Sequence, residues 1–160
     1  MPTTRPVLYG LPVSEWVLRT ALAMEATHAT DTSTWAKHWA NSYSALGGRS
    51  SSGSKGCPRS AAYALWYLGW LKGSTRPPLD WPIQRIAGDL GKNAAYAVIA
   101  ARLLTGQGFA QPHSALWRRV RQEFRRETGH QAAHSEQGAA KVAVGLFMDG
   151  MIVALRRDSM

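Results

Sequence analysis

A single cysteine, Cys57, stands in this chain of 160 residues. An internal disulfide is therefore excluded, and a reducing cytoplasm is the expected compartment. No run approaches the ~18 uninterrupted apolar residues of a membrane-crossing helix, so no membrane partner is expected. The opening MPTTRPVLYG is too polar and too broken by proline to act as a secretory signal. Acidic residues are scarce, ten against nineteen Lys and Arg, and they are scattered singly. Hydrolases built on facing carboxylates, such as glycosidases, and nucleases thus find little support. A phosphate-cradling P-loop is missing, and Gly106-Gln107-Gly108 reads as a helix stop rather than a dinucleotide fingerprint. No cofactor is expected.

What the chain does have is aromatic and aliphatic bulk. Seven tryptophans and 45% apolar residues are enough for a hydrophobic core in one globular domain spanning 1–160. The net charge of +9 favours a polyanionic partner, because net charge governs association rather than fold.

Residues 1–12 carry Pro2, Pro6 and Pro12 and read as an extended lead-in. Ser14 and Glu15 open a helix running to about Ala29. Asp31 to Ser33 caps a second, with Trp35, Trp39 and Tyr43 on one face, and Gly47-Gly48 ends it. A flexible Gly/Ser loop over 47–56 then delivers Cys57 to a place at or beside the N-cap of an apolar helix, with Pro58 at its first position and Gly69 at its C-cap. Pro82 starts a short helix ending near Gly91, Asn93 caps a helix over 94–104, and an arginine-rich helix follows over 115–128. The last apolar helix, 139–150, closes on Gly150. Residues 61–71 and 142–153 share one order: apolar helix, glycine, extended apolar pair. Two glycine C-caps with hydrophobic contacts explain that echo better than a helix-turn-helix passing into a wing. The predicted fold is mostly α, an orthogonal bundle of six to seven helices with two short strands after Gly69 and Gly150.

Four stretches together resemble a known pattern: the Lys55-Gly56-Cys57-Pro58 helix opening, GKNAAYAVIAARLL (91–104), SALWRRV (114–120), and His134 to Gln137 before a Gly-terminated helix. They are similar to an uncharacterised bacterial domain family of unknown function marked by a KGCP motif, over about Thr34 to Val153. The resemblance implies an intracellular bacterial origin and assigns no chemistry.

Two sets of residues carry chemistry. Five arginines, Arg118, Arg119, Arg121, Arg125 and Arg126, fall within nine residues, and with Glu123 and Glu127 leave a local charge of +3. Guanidinium groups match phosphates bidentately, so this helix is the expected contact for nucleic acid or an acidic protein surface, with Arg49, Lys55 and Arg59 extending the patch. Against this, the two glutamates can pair with Arg119 and Arg126, leaving merely a soluble face. The second set is Cys57, beside Lys55 and Arg59 at a helix N-terminus, where the thiolate is favoured. His134 would serve as its base and Gln137 or Glu136 as orienting or oxyanion group, making a cysteine-dependent enzyme the alternative. A cysteine that is simply a small packed residue is the plainer reading. His130 and His134 would share a helical face but lack a third ligand pattern, so no metal is expected. A third alternative is a regulatory or phage/host-conflict accessory protein that offers exposed tryptophans to a protein partner. The balance favours a small basic binding protein rather than an enzyme.

Overall fold

The computed structural model describes residues 7–49, 56–108, 112–134 and 138–153. Within them the chain forms a hairpin of β1 (Val7–Leu8) and β2 (Leu11–Pro12) and seven helices. The helices are α1 (Val13–Thr27), α2 (Thr32–Ala45), α3 (Gly56–Tyr67), α4 (Ile83–Leu90), α5 (Lys92–Gln107), α6 (His113–Thr128) and α7 (Ala139–Met148). The fold is mostly α, as predicted.

The axis of the bundle is α5. Every residue from Ala94 to Ala101 is buried, and alanines at 94, 95, 97, 100 and 101 let α3, α4, α6 and α7 pack around it. A helix apolar on all sides is stable only when it is enclosed in this way. On the other side, α1, α2 and α3 are joined by aromatic rings. Trp35, Trp39 and Tyr43 lie buried on one face of α2, as their spacing predicts, and Asp31 caps that helix by accepting from the Thr34 N–H at 2.9 Å. Trp16 stacks on Trp39 with ring centroids 4.0 Å apart and donates its indole N–H to the Trp39 carbonyl. Trp35 stacks on Trp66 of α3 at 5.4 Å. Six of the seven tryptophans are buried and Trp81 is half-buried, which leaves no exposed tryptophan among the described residues to offer a partner.

The internal echo resolves into paired helix caps. Gly69, at φ +85°, donates to the Trp66 carbonyl while Trp70 donates to Leu65. Gly150, at φ +70°, donates to Phe147 while Met151 donates to Leu146. Both are Schellman endings, in which a left-handed glycine lets the next residue reach back to the last turn. The two extended tails then meet. Lys72 donates to Met151 and Val153 to Trp70, around an antiparallel bridge between Leu71 and Ile152. The strands expected after these glycines are thus one bridge that ties the end of α3 to the end of α7.

Several boundaries differ from expectation. The lead-in is a hairpin from Val7 onward, because Tyr9 and Gly10 both adopt positive φ and so close a type I′ turn. Helix α1 begins at Val13 with Pro12 in the cap position. Ser14 is therefore not a cap but a buried residue whose hydroxyl has no hydrogen-bond partner among the described residues. Helix α5 begins at Lys92, one residue before the expected Asn93 cap. Helix α3 begins at Gly56, so of the two placements expected for Cys57, at the cap or beside it, the structure gives the second, in the first turn. Pro58 follows in that same turn, where a missing N–H costs no helical hydrogen bond.

Candidate nucleic-acid interface

Helix α6 divides its residues cleanly. Leu116, Trp117, Val120 and Phe124 are buried against α4 and α5. The remainder carries the arginines. At 3.6 residues per turn, Arg118, Arg121 and Arg125 follow one another at intervals of three and four and share one flank. Arg119 and Arg126 fall on the opposite flank together with Glu123.

The two flanks differ electrostatically. Arg126 bonds the Glu123 carboxylate at 2.5 Å and lies 3.5 Å from Glu127. The Glu123 hydrogen bond, and then the charges of Glu123 and Glu127, hold the Arg126 pKa above its ordinary value. Arg119 donates to the Gln107 side chain. On the first flank, Arg118 and Arg125 are exposed, and none of Arg118, Arg121 and Arg125 has a carboxylate partner among the described residues. Arg121 is half-buried, and its buried Nε makes no hydrogen bond among the described residues. The five-arginine face expected from the sequence is therefore a strip of three, with a partly neutralised pair behind it. Gly129, at φ +74°, ends α6 by donating to the Arg125 carbonyl, and cations in this last turn also complement the helix dipole.

The outlying basic residues do not join this strip. Arg49 is exposed after α2, and Arg59 is half-buried in the first turn of α3, its carbonyl accepting from the Trp35 indole. Both belong to the α2–α3 side of the fold, whereas α6 packs on α4 and α5. Lys55 lies outside the described residues.

For the cysteine set, Cys57 is half-buried in α3 and His134 is exposed in the segment leading to α7. That segment is pinned by two buried aromatics. Ala133 donates its N–H to the Tyr96 hydroxyl, and Trp117 donates to the His134 carbonyl. Tyr96 and Trp117 meet edge-to-face at 5.1 Å. A Cβ on Gly138 would stand 3.3 Å from the Pro58 Cβ, so the start of α7 abuts the first turn of α3. Gln137 and Glu136 lie outside the described residues. Residues 130–134 are not helical, so the shared helical face that would pair His130 with His134 does not form. Among the described residues no cluster of three His, Cys, Asp or Glu side chains could hold a metal, and no helix is long and apolar enough to cross a membrane.

A cavity of about 510 Å³ opens where α4, the start of α5 and the end of α6 meet, with Lys92 and His130 in its wall. No sequence signal marked it, because its residues come from segments as distant as Gln84 and Gln131.

A family model described as a family of unknown function, DUF6979, matches residues 15–153, from the first turn of α1 to the bridge after α7. The chain belongs to the DUF6979 family. The match begins well before the Thr34 boundary suggested by the motifs and so takes in all but the first two residues of α1 and the whole of α2. No curated protein and no solved structure gives a significant match. Membership of DUF6979 carries no activity with it, which leaves the chemistry to the residues of the site.

Proposed function

We propose that this DUF6979 protein binds nucleic acid through its phosphates, with α6 as the contact and Arg118, Arg121 and Arg125 as the principal donors. The observation that carries the reading is the strip itself: three guanidinium groups along one helix flank, without carboxylate neighbours among the described residues, on a chain of net charge +9. Such groups exchange hydration for bidentate phosphate contacts at little cost. Binding of this kind is insensitive to sequence and strongly sensitive to salt. A cytoplasmic setting follows from the same reading and suits the lone cysteine.

The test is filter retention of a DNA and RNA panel at low salt. Reversing two charges, Arg121→Glu with Arg125→Glu, should weaken every ligand by at least about tenfold, since each charge-assisted hydrogen bond is worth about 1.5–3 kcal/mol. Unchanged retention would defeat the reading. Retention of an acidic protein but no nucleic acid would move the partner class to protein.

The closeness of Gly138 to Pro58 favours a second reading, a cysteine-dependent enzyme, because it sets the residue just before α7, four positions after His134, beside the helix turn that holds Cys57. Thiol labelling across pH decides it. A Cys57 that reacts with the pKa of a free thiol, about 8.5, would set the enzyme aside.

A further inference from the structure

The arginine strip does not stop at Arg125. Continuing the same three-and-four spacing gives Thr128, about 4.5 Å farther along the helix axis at 1.5 Å per residue. Thr128 is in the wall of the 510 Å³ cavity, beside Gln84, Lys92, Phe124, His130 and Gln131. The cationic flank thus runs directly into a concave site of the size that takes small ligands, about 300–1,000 Å³. Its lining is chemically one-sided. Lys92 brings an ammonium, His130 an imidazole, and Gln84 and Gln131 two amides, each with a donor and an acceptor. Among the described residues the lining contains no carboxylate. Lys92 also opens α5 above Gly91, an N-cap position without a side-chain cap, so the orphan N–H groups of that helix add positive potential on the Lys92 side. Phe124, almost fully buried, supplies the apolar wall.

We infer that this cavity is a nucleotide subsite. A phosphomonoester sits against Lys92 and His130, and a base edge meets the amides of Gln84 and Gln131. The ligand is the phosphorylated end of a strand whose backbone lies along Arg125, Arg121 and Arg118, or a free mononucleotide of the same chemistry. The strand form rests on the nucleic-acid reading above; the mononucleotide form does not.

The experiment uses the full chain and fluorescence anisotropy with labelled 10-mers of DNA and RNA ending in a 5′-phosphate, a 3′-phosphate or hydroxyls only. Calorimetry with AMP and with inorganic phosphate runs alongside. Lys92 and His130 are both exposed, so the Lys92→Gln, His130→Gln double variant should fold, which circular dichroism checks. One terminal phosphate should tighten binding about tenfold over the hydroxyl-ended strand, and the double variant should erase that ratio. Arg121→Glu should weaken all strands alike and leave the ratio intact. A ratio of one in the wild-type protein, with no AMP binding, overturns the subsite even if strands still bind through Arg121. A ratio that survives the double variant overturns it as well. AMP binding without strand binding keeps the subsite and removes the strip as a strand contact. Inorganic phosphate binding as tightly as AMP overturns the assignment of the amides to a base.

Discussion

The replacement Gly69→Ala separates two costs that glycine avoids at the end of α3. Gly69 holds φ +85°, and its Schellman hydrogen bonds depend on that conformation. An L-residue pays about 1–2 kcal/mol to enter the left-handed region. A Cβ there would also stand 2.7 Å from the Pro77 carbonyl oxygen and 2.7 Å from the Pro78 Cα. These are backbone atoms, held in place because Leu79 donates to the Leu68 carbonyl and Arg76 donates to that of Tyr67. Neither can swing aside as a side chain would, so an overpacking cost of about 1–3 kcal/mol is added. The total is about 3 kcal/mol, or roughly 6–12 °C in Tm for a chain of this length. Gly73 is the control: it holds φ +79°, and a Cβ added to it would meet nothing within 4 Å. Gly73→Ala should cost only the conformational part, about 1–2 kcal/mol. Urea melts followed by tryptophan fluorescence measure both variants. Equal losses at the two sites would refute the close approach of the Pro77–Pro78 segment to the helix end.

Two other perturbations test the helix ends. His28 ends α1 at φ +57°, the position glycine takes in the other Schellman caps, so His28→Gly should stabilise the protein by about 0.5–1 kcal/mol in the same melts, with a loss contradicting the assignment. Asp31 accepts from the Ser33 hydroxyl, the Thr34 N–H and the Thr34 hydroxyl, which lower its pKa from an ordinary 3.8 to about 2. A depressed folded pKa contributes stability that is present above the unfolded value and lost as pH falls toward the folded one. The stability gap between wild type and Asp31→Ala should therefore narrow from pH 5 to pH 2.5, and a constant gap in urea melts at the two pH values would contradict it.

Much of the fold was legible from residue order, and the reasons are local. The Trp35, Trp39 and Tyr43 spacing and the Asp31 cap specify α2 without help from the rest of the chain. Gly69 and Gly150 announced their caps because few other residues enter the left-handed region cheaply. That the two tails would find each other was not legible, since bridge pairing depends on where α3 and α7 lie around α5. The hairpin was hidden because Tyr9 takes a positive φ that tyrosine gives no cue for. Pro58 marks the start of α3 but leaves open whether Cys57 caps the helix or stands beside the cap, because proline is tolerated throughout a first turn. The division of the arginines could have been drawn from helical geometry: Glu123 sits three residues before Arg126, while the flank of Arg118, Arg121 and Arg125 contains no acid. The cavity beyond Thr128 could not, because no periodicity links Gln84, Lys92 and His130.

In the proposed binding mode a particular flank of α6, and not net charge in general, makes the contact. Arg125 and Arg126 are adjacent, exposed and equal in charge, yet only Arg126 is held by Glu123 and Glu127. The decisive measurement is the slope of log K against log salt for duplex DNA with the wild type, Arg125→Gln and Arg126→Gln. With three phosphates neutralised, the wild-type slope should be about −2.7, and Arg125→Gln should reduce it to about −1.8 while Arg126→Gln leaves it in place. Equal changes in the two variants would show that the strip has no special part in binding.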